Sequence, residues 1–342
     1  MQIRLSLFER ILHRLHLLPT PFMDAFGSMI FGRVLTIAAR RGVFEAVADG
    51  PRSVQEIAEW TRLHPRAVTL MAEAFVVGGY LCHEGDGYRI SVEGRKWLVR
   101  GSPHFVGNLI RYFETLYDRW SAFEYALEHG VPRRAYFEHF TDEDWEIYVY
   151  GMAGLARLLQ PHVLRRIVVE RMEGSLLDLG GSHGLYAVEL CRRYPKLHAV
   201  VMDFASALQV TEQVVRQEGM SERIELRAGD FLRERLPSGQ ECVLMFNVVH
   251  GLTDEQNVRV IASVHEALND GGRLYILDQV KGTNRRSSLA AFMPLMVGLN
   301  LLNEIGGTVY DCRDVERWCS GFRTVKQHRL LLPGVVLVEA VK

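Results

Sequence analysis

The segment Asp178–Gly184 combines an acidic residue with three glycines at the end of an apolar stretch. Leu176–Leu179 has the composition of a buried strand, and a helix-length segment follows the glycines. Glycines let the backbone turn tightly and approach a ligand closely, and the first turn of a helix offers unpaired N–H groups. Since ligands bind at the C-terminal ends of strands in such sheets, this segment predicts a ligand-binding loop.

Three interpretations of this loop compete. A dinucleotide fingerprint, G-x-G-x-x-G, would need glycine at position 179, where Leu179 stands. A nucleophile elbow, G-x-S-x-G, matches Gly180–Gly184 and would make Ser182 the nucleophile of a serine hydrolase. Such an elbow normally follows several strands of its sheet, whereas a helical region precedes this one. The third pattern is D-x-G-x-x-x-G, which is typical of S-adenosylmethionine enzymes.

Acidic residues at the ends of the next two strands favour the third interpretation. Asp203 ends the run Val200–Asp203, where a carboxylate can accept both hydroxyls of a ribose. Asp230 follows the next strand, where it could bind an adenine amino group while Phe231 packs on the ring. Three acids at successive strand ends are more specific than any one. The predicted cofactor-binding residues are Asp178, Gly180, Gly181, Asp203, Asp230 and Phe231.

The second half of the chain alternates strand-like runs with helix-length segments. This alternation predicts an α/β, Rossmann-like doubly wound sheet. Late runs near 322–328 and 335–341 could close the sheet as an antiparallel pair. The other predicted strands are Leu176–Leu179, His198–Asp203, Arg223–Arg227, Val243–Val248 and Arg273–Asp278.

The first half is predicted to be mostly helical, from residue 24 to about 170. Helices are expected near 24–40 and 65–77, with a capping box at Ser53–Glu56 between them. Strand-like residues on both sides of Glu84–Gly87 predict a small hairpin. Helices followed by a hairpin indicate a winged helix.

A winged helix raises the possibility of DNA binding, which the charges oppose. Residues 24–100 hold ten Lys and Arg against nine Asp and Glu, and the would-be recognition helix Ala67–Phe75 is almost wholly apolar. Major-groove recognition needs polar and basic side chains there. We therefore expect no nucleic-acid partner and interpret the module as a dimerisation domain. The predicted divisions are a winged-helix dimerisation domain at 1–110, a helical linker and substrate-pocket region at 111–170, and a catalytic domain at 171–342.

The composition is that of a globular protein, with 342 residues and a formal net charge of −1. Five cysteines lack C-x-x-C spacing and the histidines do not cluster at ligand spacing, so neither disulfides nor a metal site is expected. No uninterrupted apolar run reaches the 18 or so residues of a membrane helix. Charges interrupt the apolar residues of 1–18, which predict an amphipathic helix packed on the body or on a second subunit, with a helix on a membrane surface as the alternative. A cytoplasmic protein without stable membrane insertion is expected.

The chain resembles the plant- and bacterial-type small-molecule O-methyltransferases, which include caffeate, hydroxyindole and polyketide methyltransferases. The likeness covers nearly the whole chain. Asn247–Glu255 matches the family's L-H-D-W-x-D-E segment, Glu266–Leu274 matches E-A-L-x-x-G-G-x-L, and Gly306-Gly307 matches a glycine pair. The resemblance implies the class I methyltransferase fold, S-adenosyl-L-methionine as cofactor, a homodimer and a role in secondary metabolism. It places His250 on the general base and Asp278 on the carboxylate that orients it.

Five positions depart from the family pattern. Gly251-Leu252 replaces Asp-Trp after the histidine, Ser182 replaces a loop glycine, and Phe246 replaces a cofactor-contacting Lys or Arg. Val309 stands where the family has a second catalytic Glu, for which Glu304 is a possible substitute. His183, inside the loop, is unusual, and the one role considered for it is a polar contact to the cofactor or the acceptor.

The predicted reaction is methyl transfer to a small aromatic or polycyclic metabolite, at a hydroxyl with His250 as general base. The alternatives are C- or N-methylation by the same family, for example on a tetrapyrrole, and serine hydrolysis through Ser182. The acceptor pocket is expected between the domains, with Tyr112 and Phe113 among further apolar candidates. The predicted substrate contacts are Trp120, Met152, Met293, Met296 and Asn300.

Overall fold

The structure is a computed structural model that describes residues 6–134, 136–169, 174–281, 289–330 and 334–342. The chain separates into two compact units, with the division between Leu116 and Tyr117. The three functional parts assigned from the sequence stay a prediction. Each unit has a hydrophobic core of its own.

The first unit combines helices with one small hairpin. The hairpin pairs β1 (Leu81–Glu84) with β2 (Gly87–Ile90) in antiparallel register. A capping box at Ser53 begins α5, as the sequence predicts. The helices are α1 (Leu7–Arg14), α2 (Thr20–Phe22), α3 (Ser28–Arg41), α4 (Val43–Ala46), α5 (Val54–Thr61), α6 (Pro65–Val77), α7 (Val92–Leu98) and α8 (Gly107–Thr115).

The helix predicted at 24–40 has two parts. A π-helical turn at Met23–Gly27 joins α2 to α3, and α3 ends at Gly42 in the left-handed conformation. By length and composition alone, the helical segment Thr20–Arg41 could cross a membrane, and little of it is buried. The sequence prediction missed it because that prediction counted only uninterrupted apolar residues. The expected lack of membrane insertion stays a prediction.

The second unit is built on one mixed sheet with helices on both faces. Its strands are β3 (Ser175–Leu179), β4 (His198–Asp203), β5 (Ile224–Ala228), β6 (Gln240–Phe246), β7 (Leu268–Lys281), β8 (Tyr310–Asp311), β9 (Thr324–Arg329) and β10 (Val335–Val341). Its helices are α9 (Tyr117–Trp120), α10 (Phe123–His129), α11 (Asp142–Val163), α12 (Leu185–Arg193), α13 (Ala205–Gln217), α14 (Asp254–Ala267), α15 (Leu289–Ile305) and α16 (Cys312–Trp318). Short 3₁₀ turns lie at Phe137–His139 and Val249–Gly251.

The strand order is β5-β4-β3-β6-β7-β10-β9, with β8 paired to β7. The strands from β5 to β7 are parallel, and β10 runs antiparallel to both β7 and β9. The predicted doubly wound sheet with an antiparallel closing pair is confirmed. The order reverses beside β3, so the loops after β3 and β6 leave the same edge of the sheet.

Two apolar layers cover the faces of this sheet. One face packs against side chains from α11, α12 and α13, and the other against side chains from α14 and α16. The central strand β6 is buried along its whole length. A strand buried on both faces reads as continuous apolar sequence, as β6 does from Cys242 to Phe246. The packed centre fixes the strand ends from which the site is built.

A capping box holds the loop after β6. The Thr253 hydroxyl accepts the Gln256 N–H at 3.2 Å, and the Thr253 N–H donates to Gln256 Oε1 at 2.8 Å. The buried Asn257 side chain, one residue further along α14, donates to the carbonyl of Val249 at 3.0 Å. The start of α14 is thereby connected to the 3₁₀ turn at Val249–Gly251.

Replacing Thr253 with alanine should destabilise this helix start. The substitution leaves the Gln256 N–H without its cap, so we expect a loss of about 1 kcal/mol in the free energy of unfolding. Urea denaturation followed by circular dichroism measures it, with Thr253→Ser as the control that keeps the hydroxyl. Equal stability of the alanine and serine variants would contradict the capping role.

Candidate active site

The loop after β3 closes over a buried carboxyl group. Asp178 is 1% exposed, and a Cβ atom at Gly181 would lie 2.8 Å from its Oδ2. Only glycine can pack this closely on the carboxyl, which explains the glycine at 181. Burial, together with the charge of Asp203, raises the pKa of Asp178 to about 8. Asp178 therefore lies beneath the loop and supports it.

Asp203, at the end of β4, binds the same loop from the side. Its Oδ2 accepts the Ser182 N–H at 2.8 Å, and its Oδ1 accepts the Phe204 N–H at 2.7 Å. Burial raises the pKa of Asp203 to about 6, although both N–H groups oppose that shift. The carboxylate thus titrates close to neutral pH, at the wall of a cavity.

That cavity has a volume of about 310 Å³, within the size range of small-molecule sites. It lies along the edge of the sheet where β3, β4, β5 and β6 end. Its walls are Phe137, Trp145, Tyr148, Gly180, Ser182, Asp203, Phe204, Gly229, Asp230, Phe231, Leu232, Asn247, Val248, His250, Gly251, Leu252 and Ile305. Of the eight residues predicted for cofactor binding and catalysis, Gly180, Asp203, Asp230, Phe231 and His250 line it, whereas Asp178, Gly181 and Asp278 lie behind its walls.

Asp230 and Phe231 lie where β5 ends. Asp230 Oδ1 accepts the Leu232 N–H at 2.9 Å, so the carboxyl group stabilises its own turn. The Asp230 N–H donates to Glu234 Oε1 at 2.9 Å. Asp230 and Phe231 are only partly buried and reach the cavity from a fixed turn.

His250 and Asp278 form a hydrogen-bonded pair. The distance from His250 Nδ1 to Asp278 Oδ1 is 2.7 Å, and the His250 main-chain N–H donates to Asp278 Oδ2 at 3.3 Å. A third donor, the Gln279 N–H, lies 2.8 Å from Asp278 Oδ1. The carboxylate holds the imidazole with its proton on Nδ1, which leaves Nε2 as the proton acceptor.

Electrostatics favour the protonated form of this imidazole. Burial alone would lower the pKa of His250, but the charge and hydrogen bond of Asp278 and the charge of Glu304 outweigh it and raise that pKa. Glu304 is buried on α15, so its carboxylate acts across a region with little water. Burial, then the charge of Asp203 and then that of Glu304 raise the pKa of Tyr148, a residue of the cavity wall. The charge of Glu304 therefore acts on His250, although the family's second catalytic Glu corresponds to Val309 in this chain.

The glycine pair after α15 packs on the histidine turn. A Cβ atom at Gly307 would lie 2.4 Å from the carbonyl oxygen of His250, which only glycine avoids. The Thr308 N–H donates to that same carbonyl at 2.9 Å. The pair lets the chain approach His250 closely and fixes its main chain from the side opposite Asp278.

Sequence reasoning missed the aromatic wall of the cavity. Phe137 and Trp145 stack with ring centroids 5.2 Å apart, and Phe204 lies 5.9 Å from Phe137. Tyr148 contacts both stacked rings edge-on. The signal was the aromatic density of residues 136–148, which lie in the predicted helical linker and substrate-pocket region but are not among the predicted site residues.

The predicted substrate contacts lie elsewhere in the second unit. Trp120 Nε1 donates to Asn300 Oδ1 at 3.2 Å, which brings two of the five together. Met293 and Met296 are exposed on α15, and Met152 is partly buried on α11. None of the five lines the cavity beside His250. Their role in binding an acceptor, and a pocket between the domains, stay predictions.

Two of the unexpected residues, His183 and Phe246, have local explanations. His183 Nδ1 accepts the Leu185 N–H at 3.0 Å and so caps the start of α12, while burial and then the charge of Arg157 lower its pKa to about 3. Phe246 is buried and packs edge-on against Tyr186, with centroids 4.7 Å apart. Its side chain belongs to the core and does not line the cavity.

Ser182 differs from a hydrolase nucleophile. Its Oγ is buried, and no described residue hydrogen-bonds to it. A catalytic serine needs a base within hydrogen-bond reach. The geometry thus gives no support to hydrolysis through Ser182. Among the described residues, no group of three or more His, Cys, Asp or Glu side chains is placed to hold a metal ion.

A family model described as the O-methyltransferase domain matches residues 114–322. The chain belongs to the O-methyltransferase family. The enzyme is therefore an S-adenosylmethionine-dependent methyltransferase, as the resemblance implies. The match begins close to the division between the two units and ends before β9.

Curated relatives extend the likeness over most of the methyltransferase. An N,N-dimethyltransferase from Streptomyces rimosus is 27% identical over 322 residues, which cover 91% of this chain and 92% of the relative. The tetracenomycin polyketide synthesis 8-O-methyl transferase of Streptomyces glaucescens is 28% identical, covering 90% and 92%. The structure of human N-acetylserotonin methyltransferase with S-adenosylmethionine has a TM-score of 0.84 at 20% identity, covering 100% of this chain and 99% of that chain. At that identity the structural likeness shows the fold alone.

Replacing Asp278 with asparagine should lower the pKa of His250 in this methyltransferase. The substitution keeps the shape of the side chain but removes the negative charge that stabilises the imidazolium. Titration of the labelled histidine ring by NMR measures the change. Glu304→Gln is the matched comparison and should lower the pKa less, because its charge contributes less than that of Asp278. A pKa that rises or stays constant in Asp278→Asn would show that the pair is not coupled in this way.

Proposed function

We propose that the enzyme transfers a methyl group from S-adenosylmethionine to a hydroxyl of an aromatic or polycyclic metabolite, with His250 as general base. The observation that carries this proposal is the His250–Asp278 pair on the wall of the cavity that Asp203 also lines. Cofactor-binding acid and candidate base therefore face one space, as a methyl transfer between two bound molecules requires.

The cavity residues suit the cofactor. Asp203 offers carboxylate oxygens at a strand end, where a ribose can be bound through both hydroxyls. Asp230 and Phe231 would take the adenine, by hydrogen bonding and by packing. Asp178 and Gly181 would act indirectly, because they shape the loop from beneath. When bound, S-adenosylmethionine supplies an electrophilic methyl group on a sulfonium.

The protein's own part in the reaction is to align the acceptor and remove one proton. His250 Nε2 takes the proton of the acceptor hydroxyl as that oxygen attacks, and Asp278 stabilises the resulting imidazolium. Glu304 adds a second negative charge that favours the protonated ring. A positioned base of this kind typically contributes about 10²–10⁴-fold to the rate.

The acceptor class is inferred from the walls and the relatives. Stacked Phe137 and Trp145, with Phe204 beside them, give the cavity a flat apolar surface that favours ring systems. The Streptomyces glaucescens relative is named for a polyketide, which agrees with a polycyclic acceptor.

A nitrogen acceptor is the second candidate. The relative from Streptomyces rimosus is named an N,N-dimethyltransferase, at similar identity and coverage. A neutral amine attacks with its own lone pair, so deprotonation by His250 would matter less than for a hydroxyl.

A homodimer is also proposed. Large apolar side chains of the first unit are exposed in the single chain, as is expected of a surface that meets another subunit. They include Leu7, Phe8, Ile11, Phe22, Phe26 and Met29.

Cofactor affinity should depend on Asp203 and on pH. At pH 8, Asp203→Ala should weaken binding of S-adenosylhomocysteine about 10- to 100-fold, because hydrogen bonds to a charged carboxylate are lost. In the wild type, affinity should fall as the pH drops through about 6, where the carboxyl group becomes protonated. Isothermal titration calorimetry at several pH values measures both effects.

Two further variants test whether the carboxyl group of Asp203 is the cause of the pH-dependent affinity. Asp203→Asn should bind weakly at every pH, because it has no titrating group at that position. Asp270→Ala, which alters an exposed acid of β7, should bind like the wild type. If the folded wild type did not bind S-adenosylhomocysteine, the proposed position of the cofactor site would be wrong.

Methyl transfer to a hydroxyl should require His250. His250→Ala should lower kcat by about 10²–10⁴-fold and leave the affinity for S-adenosylhomocysteine nearly unchanged. In the wild type, kcat should rise with pH through a pKa above the ordinary histidine value, since only the neutral ring accepts a proton. Steady-state rates over pH 5–9 with a panel of phenolic acceptors measure this profile.

The same panel should include aromatic amines. A large loss of kcat with phenols and a small loss with amines in His250→Ala would show that His250 deprotonates a hydroxyl oxygen. Full turnover of phenols by His250→Ala would refute the base assignment while leaving cofactor binding intact.

A further inference from the structure

Ser182 has a strained backbone conformation that the fold maintains from both sides. Its φ angle is +40°, in the left-handed region that favours glycine. The Ser182 N–H donates to Asp203 Oδ2 at 2.8 Å, and the Thr211 hydroxyl donates to the Ser182 carbonyl. Thr211 itself is fully buried on α13. Both polar groups of the main chain are therefore used, and they hold the residue in place.

The side chain of Ser182 is not used in this way. Its Oγ is buried and has no hydrogen-bond partner among the described residues. A buried hydroxyl without a partner is destabilising, and so is a side chain at this φ angle. Glycine would avoid both costs, so the fold alone gives no reason for a serine here.

The position of Ser182 suggests what the hydroxyl does. Ser182 lines the same cavity as Asp203 and is joined to that carboxylate through its N–H. A polar ligand group beside Asp203 would come within reach of Oγ after rotation about χ1. Strained, unsatisfied groups of this kind concentrate where a ligand completes the bonding.

We propose that the Ser182 hydroxyl is a cofactor-binding group that hydrogen-bonds the ribose or the amino-acid portion of S-adenosylmethionine. This inference depends on the cofactor position proposed above. It gives the literal G-x-S-x-G match a role in binding rather than in nucleophilic attack. The cofactor would satisfy the hydroxyl that the ligand-free protein leaves without a partner.

The test compares Ser182→Ala and Ser182→Gly with the wild type, using calorimetric binding of S-adenosylhomocysteine and thermal unfolding of the ligand-free protein. Both variants should bind about 5- to 15-fold more weakly, the effect of losing one hydrogen bond. Neither should unfold at a lower temperature, because alanine removes the unsatisfied hydroxyl and glycine also removes the strain. Ser238→Ala, at an exposed serine, is the control and should change neither quantity.

A second ligand identifies the part of the cofactor that is bound. 5′-Methylthioadenosine keeps the ribose but lacks the amino-acid portion. Equal weakening for both ligands would assign the hydroxyl to the ribose, and weakening for S-adenosylhomocysteine alone would assign it to the amino-acid portion.

Other outcomes overturn the inference. Unchanged affinity in both Ser182 variants would show that the serine hydroxyl does not bind the cofactor. In that case, loss of binding in Asp203→Ala would still support the proposed cofactor site. Weakening in Ser182→Gly alone would indicate loop flexibility and exclude the hydroxyl. If the folded wild type bound neither ligand, the proposed cofactor site would fail, and this inference with it.

Discussion

Carboxyl groups at one edge of the parallel sheet hold both functional loops through main-chain hydrogen bonds. Asp203, at the end of β4, accepts an N–H from the loop after the neighbouring strand β3. Asp278, on β7, accepts an N–H from the turn after its neighbour β6. A buried carboxylate must find such donors, because an unpaired charge away from water is strongly unfavourable. The same bonds that satisfy the acids therefore place Ser182 and His250 at the cavity.

Burial is the largest influence on the pKa of Asp178 and of Asp203, and hydrogen-bond donors oppose it at Asp203. Asp278 has the imidazole and two main-chain N–H groups, and its charge raises the pKa of His250. Asp203 has two main-chain donors, and its pKa is raised to about 6. Asp178 has an Oδ2 without a partner, and its pKa is raised to about 8. The pKa of Asp178, beneath the loop, is thus raised further than that of Asp203 beside it.

Much of this arrangement could be predicted from the sequence, because it depends on local patterns at strand ends. The apolar run before Asp178, the acid that ends β4 and the histidine after β6 each lie next to a strand of recognisable composition. That these residues lie close together could be predicted only because parallel strands end at a common edge of the sheet. The aromatic wall could not be found in this way, since Phe137 and Phe204 come together through tertiary packing. The exposure of Met293 and Met296 likewise depends on how α15 packs, which helical spacing does not reveal.

The cavity is lined by strand-end residues on one part of its wall and by aromatic residues on another, which suggests how one fold can serve different acceptors. The acids and His250 lie at strand ends, where neighbouring strands fix them through main-chain hydrogen bonds. Three of the aromatic wall residues, Phe137, Trp145 and Tyr148, come from the 3₁₀ turn at Phe137–His139 and the first turns of α11, outside the sheet. The fourth, Phe204, directly follows β4. Substitutions of the residues outside the sheet can reshape the space for a ring system while the strand-end acids and His250 keep their main-chain hydrogen bonds.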